Sequence, residues 1–173
     1  MPSPLGHGLA GAAAGWAVDG APAGAIWTDR RTLLFALIAL VPDLDLLFGA
    51  HSGPTHGLGA ALLAGLAVWT IARLRRVPGA STLAIACAAA YASHTLLDWL
   101  GSDSLPPIGI MGLWPVSRHY FESSLHVFPA VSRRYWLPEA FWLPNLYAVL
   151  WEVILLAPIT IVVRLLQRRA RLD

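Results

Sequence analysis

Long apolar runs alternate with short polar or charged interruptions along the whole chain. A membrane-crossing helix needs about 20 mostly apolar residues. Four stretches meet that requirement, 31–48, 56–74, 80–100 and 142–166. A fifth, 5–26, is weaker because glycines and Asp19 interrupt it, although its GLAGAAAGWAV segment is rich in the small residues that let helix backbones approach closely. No basic residue precedes that run, so it reads as a span rather than a signal peptide. Residues 101–141 are too polar and proline-rich to cross, with Pro106, Pro107, Pro115, Pro129 and Pro138 breaking any long helix. Their neighbourhood carries Trp99, Trp114, Tyr120, Tyr135, Trp136 and Trp142, which suit a headgroup boundary. The pattern predicts an all-α, polytopic transmembrane helix bundle of about five spans. It forms one membrane domain over 1–173, with an external interfacial cap of short helices and loops at 101–141.

Composition strengthens this picture: 57% of residues are hydrophobic and 13% charged, against about 45–50% and about 25% in ordinary soluble domains. All twelve basic residues are arginines, and most cluster beside apolar runs: Arg30 and Arg31, then Arg73, Arg75 and Arg76, then Arg164, Arg168, Arg169 and Arg171. Short cytoplasmic loops are enriched in Lys and Arg. In a five-span chain all three clusters fall on the cytoplasmic side together with the carboxyl terminus, leaving the amino terminus, the 49–56 loop and 101–141 outside. Basic residues confined to segment ends argue against a nucleic-acid-binding face. The single cysteine, Cys87, has no partner for an intrachain disulfide and reads as a small packed residue.

Ionisable residues inside spans are costly and call for a reason. Asp43 and Asp45, in PDLD, lie late in the second run; on a regular helix they would face different sides, but Pro42 disturbs the backbone and lets both approach one centre. His94 and Asp98, in SHTLLD, share one helical face a turn apart, which is metal-ligand spacing. HSGPTH, from His51 to His56, forms a turn in which Gly53 and Pro54 reverse the chain, Thr55 is placed to cap the next helix, and both histidines face one cavity. His7 is a further ligand candidate at the outer end of the first run. Counted from the cytoplasmic arginines at about 1.5 Å per residue, these seven residues converge on the external third of the bundle. His119 and His126 read as residues of the cap, and Glu152 as a helix-packing hydrogen-bond acceptor.

GHG, PDLD, HSGPTHG, SHTLLDWL and GLWPVS occur in this order over about residues 5–120. The set resembles the bacterial YdjM-like family of inner-membrane metal-dependent hydrolases. The resemblance implies a multi-pass inner-membrane hydrolase with His7, Asp43, Asp45, His51, His56, His94 and Asp98 as metal-site candidates. The family's second motif reads closer to HRGxTHS, where this chain has Ser52 and Gly57.

The expected chemistry is hydrolysis of an ester or phosphoester at the outer membrane face, with one or two divalent ions, Zn²⁺ by preference, lowering the pKa of water towards about 7. Either Asp45 or Asp98 stays free of metal as general base. The aromatic surroundings suggest a lipid or lipid-linked substrate, with Trp114 and Arg118 as candidate contacts. Two other readings use the same residues: a divalent-cation transporter, and a membrane protein whose metal only staples helices.

Overall fold

The computed structural model describes residues 1–49, 51–103 and 106–170. Among them every regular element is helical: α1 (Pro4–Asp19), α2 (Arg30–Ile38), α3 (Leu58–Leu74), α4 (Ala80–Leu100) and α5 (Pro138–Arg169), with 3-10 segments at Ile26–Thr28, Val41–Phe48 and Pro54–His56. Local chemistry sets several of these ends. The Ser3 hydroxyl accepts from the Gly6 amide at the start of α1, and Asp29 caps α2 through the Thr32 amide at 2.7 Å. Pro138 opens α5 at a position where its missing N–H costs nothing.

Among the described residues two helices, α4 and α5, are long and apolar enough to cross a membrane. The fourth expected span matches α4 residue for residue, and the fifth is extended at both ends into the 32 residues of α5. The other three are shorter than expected. α1 stops at Asp19 and α3 has 17 residues. The second breaks at Ile38, because Pro42 has no N–H to return to that carbonyl, and the chain tightens into 3-10 geometry from Val41. The cap also differs: among the described residues between Leu100 and Pro138 there is no helix, only turns and two isolated backbone bridges, Gly101 with Phe128 and Ile110 with Phe121.

The small-residue helix α1 sits at the centre, packed against α2, α4 and α5, while α3 leans on α4. Gly11 and Gly15 of α1 press against Phe35 of α2 and Ala39, which caps its end, so close that an added Cβ at Gly11 would stand 2.8 Å from the Phe35 carbonyl oxygen. The Trp16 indole donates to the Thr32 hydroxyl at 3.0 Å, and Trp16, Phe35, Ala86, Cys87 and Ala90 form one buried cluster. On the far side α5 leaves Trp142, Leu143, Ile154 and Val162 exposed, an unpartnered apolar surface suited to hydrocarbon.

Candidate metal centre

The starts of α1, α3 and α5 and the ends of α2 and α4 meet at one pole of the bundle, and four histidines and three aspartates meet there with them. From α1 comes His7; from the 3-10 segment after α2, Asp43 and Asp45; from the following turn, His51 and His56; from α4, His94 and Asp98. His94 Nε2 stands 3.0 Å from Asp98 Oδ2, His7 Nε2 3.4 Å from Asp98 Oδ1, and His56 Nε2 3.5 Å from Asp98 Oδ2. Asp43 Oδ1 lies 3.6 Å from His56 Nε2, 3.8 Å from His94 Nε2 and 4.0 Å from His51 Nδ1. The His7 and His94 rings stack with centroids 3.8 Å apart. Two groups present ligand atoms that all lie within 4.8 Å of one another: His7, His94 and Asp98, all buried, and Asp43, His51 and His56, which are more open.

The protonation pattern fits a cation. His94 Nδ1 is 2.8 Å from the Ala39 carbonyl, which can only accept, so Nδ1 carries a proton and Nε2 is the atom turned towards the Asp98 carboxylate. His7 Nδ1, His56 Nε2, His94 Nε2 and both Asp98 oxygens are buried without a hydrogen-bond partner. A buried carboxylate so surrounded is costly unless a positive charge balances it. Convergent imidazole and carboxylate ligands are a donor set for a divalent ion. A proton competes for the same place at His56, which lies outside the helices: burial pushes its pKa down, but the carboxylates of Asp43 and Asp45 outweigh this and lift it to about 9.

The two aspartates of PDLD separate into different layers. Asp43 addresses Nε2 of His56 and the cluster beyond. Asp45 lies behind the ring, 3.3 Å from His56 Nδ1 and 3.3 Å from His51 Nδ1, and accepts from the Thr55 hydroxyl at 2.8 Å. Thr55 therefore holds Asp45 rather than capping α3, whose N-cap is Gly57 with no side-chain hydrogen bond. The Tyr91 hydroxyl donates to the Thr55 carbonyl at 2.7 Å and fixes the turn from α4. Tyr91 precedes His94 by three residues, so the helical spacing that exposes His94 and Asp98 as a pair also points to Tyr91.

A cavity of about 460 Å³ reaches this pole, bordered by Asp43 and His51 from the cluster and also by Ser132, Arg133 and Arg134. Neither Arg118 nor Trp114 borders it. Arg118 is exposed, and the Trp114 carbonyl instead accepts from the Gly59 amide at 2.9 Å. A Cβ at Gly57 would come within 2.8 Å of the Trp114 Cβ, so the close approach of the Trp114 segment favours glycine there. His119 is exposed, and His126 stands 3.6 Å from Glu122; neither enters the two ligand groups. Glu152 is fully buried, accepts from the Ser3 amide at 2.8 Å and from the Ser3 hydroxyl, and so ties the start of α1 to α5.

No curated protein and no solved structure matches the chain. A family profile described as YdjM inner membrane protein matches residues 1–171. The ordered motifs and the buried pole they build lie within that match, and the chain belongs to the YdjM inner membrane protein family.

Proposed function

We propose that the protein is a membrane-embedded, metal-dependent hydrolase that cleaves an ester or phosphoester of a lipid or lipid-linked substrate. The observation that carries this reading is the convergence of His7, His56, His94 and Asp98, with His7 Nδ1, His56 Nε2, His94 Nε2 and both Asp98 oxygens buried and unpartnered by any hydrogen bond. With Asp43 they would hold one or two divalent ions, Zn²⁺ being the preferred match to imidazole and carboxylate ligands. Such an ion, when bound, lowers the pKa of water towards about 7 and polarises the scissile group.

The chain's own residues supply the rest. The Ala39 carbonyl fixes the His94 tautomer, and Asp45 orients His56 from behind; partners of this kind set ligand direction and basicity. His51 borders the cavity with Nδ1 directed at Asp45 and Nε2 2.8 Å from the Met1 sulfur, so it belongs with Asp43 and His56 as a ligand, and the general base falls to a carboxylate left free of metal, Asp45 or Asp98. The cavity beside Asp43 and His51 supports catalysis over a metal staple, which would be closed by protein ligands.

Location follows the same logic. Arg30 and Arg31 begin α2, Arg73 ends α3, and Arg164, Arg168 and Arg169 end α5, all at the pole opposite the histidines. Arg164 donates to the Gly24 carbonyl at 2.7 Å, beyond the far end of α1. Under the positive-inside rule this clustering supports a reading with those ends and the carboxyl terminus in the cytoplasm and the site on the outer side of a multi-pass inner-membrane protein.

The test is metal analysis of protein purified without chelator, followed by hydrolysis of a panel of phosphoester and acyl-ester lipids. Bound zinc, with turnover lost in His94→Ala and His51→Ala, is the expected result. Metal-loaded protein that hydrolyses nothing but carries the cation into liposomes would replace the hydrolase with a transporter.

A further inference from the structure

The lining of the cavity that borders Asp43 and His51 also carries two arginines. Arg133 and Arg134 line it with exposed side chains, and neither guanidinium has an ion-pair or hydrogen-bond partner among the described residues. Other arginines are engaged elsewhere: Arg31 pairs with Asp19, and Arg164 donates to Gly24. The segment carrying Arg133 and Arg134 is held in place. Asn145 of α5 accepts from the Ser132 amide at 2.6 Å and donates to the Ser132 carbonyl at 2.9 Å, and the Val131 amide donates to the Met1 carbonyl at 3.1 Å. Directly after the arginines, Tyr135, Trp136 and Leu137 are exposed, an arrangement suited to the headgroup level of a bilayer.

We infer that Arg133 and Arg134 form the anchor for a phosphate-bearing anion, the substrate's phosphoryl group, held in the same cavity that Asp43 and His51 border. Guanidinium forks match phosphate oxygens with paired, charge-assisted hydrogen bonds, and an unpaired guanidinium gives up no internal ion pair on binding. Asp43 and Asp103 also line the cavity. Asp43 is directed at the histidines, and Asp103 accepts from the Gly109 amide at 3.3 Å, so both carboxylates have protein partners. The inference deepens the hydrolase reading by choosing the phosphoester over the acyl ester. It rests on that reading for the reaction but not for the binding.

Calorimetric titration of the purified full-length protein tests the binding alone. Inorganic phosphate forms one arm and a short-chain phospholipid, dihexanoyl phosphatidic acid, the other. In the Arg133→Gln/Arg134→Gln double variant, affinity for the bound probe is expected to fall about 10–100-fold while metal content stays at the wild-type level. Arg75→Gln, at the opposite pole, is expected to bind like wild type. Binding of phosphatidic acid alone identifies a lipid headgroup as the source, whereas equal binding of inorganic phosphate identifies a free phosphate site; both support the anchor. Wild-type protein that binds neither probe overturns it, as does a double variant with unchanged affinity. A protein without metal that still loses phosphate affinity in the double variant overturns the metal reading and leaves the anchor standing.

Discussion

Gly11→Ala should damage the metal centre from a distance. The added methyl would stand 2.8 Å from the Phe35 carbonyl oxygen and closer still to the Ala39 Cβ, whereas methyl carbons ordinarily rest about 3.5–4.0 Å apart. α1 and α2 must therefore separate by on the order of 1 Å. Ala39, at the displaced end of α2, supplies the carbonyl that holds His94 Nδ1 at 2.8 Å. A shift of that size takes the pair past the roughly 3.2 Å limit of a good hydrogen bond. Overpacking costs about 1–3 kcal/mol, and stranding the buried His94 donor adds about 1–3 kcal/mol. Loss of a partner that orients a ligand typically lowers metal affinity about 10–100-fold. The assay is chelator competition for zinc together with thermal melting in detergent, with Gly24→Ala as control because nothing lies within 4 Å of its added Cβ. A Gly11→Ala protein that melts and binds zinc like wild type would refute the claim that helix contact sets the ligand geometry.

Asp45→Asn keeps the side chain's size but removes the charge behind His56 and His51, so zinc affinity should fall about 10–100-fold with the fold retained, read by competition titration and circular dichroism. Zinc must displace the proton that Asp43 and Asp45 hold on His56, so apparent affinity should rise with pH by up to tenfold per unit and level off above about 9; a pH-independent titration between 6 and 9 contradicts the assignment. Ser3→Ala removes the hydroxyl that caps α1 and donates to buried Glu152; a loss of about 1–3 kcal/mol is expected, measured as a lower melting temperature.

Short-range regularity carried much of this structure. Apolar length alone marked 80–100, and α4 spans those residues. The i, i+4 spacing of His94 and Asp98 was enough to put them on one face, and the glycine and proline of HSGPTH were enough to predict a turn that brings His51 and His56 near each other, their ring centroids 5.0 Å apart. The small-residue stripe of α1 announced a close helix contact, and Gly11 meets the Phe35 backbone of α2 while Gly15 meets the Phe35 side chain. Each of these depends on residues within a turn or two of one another, where backbone geometry leaves few choices.

Tertiary structure decided what local spacing leaves open. Pro42 signals a disturbance, but only packing shows that α2 ends at Ile38 and that the 3-10 segment after it sends Asp43 towards the cluster and Asp45 behind His56. The Ala39 carbonyl on His94 and the Ser132–Asn145 clamp are backbone contacts, invisible to side-chain pattern. Arg133 and Arg134 are more than 70 residues from His51 in sequence and share a cavity with it only because α5 packs beside α1. Hydrophobic pattern determines which stretches become helices, since burial scales with local apolar content. It does not determine which polar atoms of different helices finally meet, because that depends on how closely the helix backbones approach.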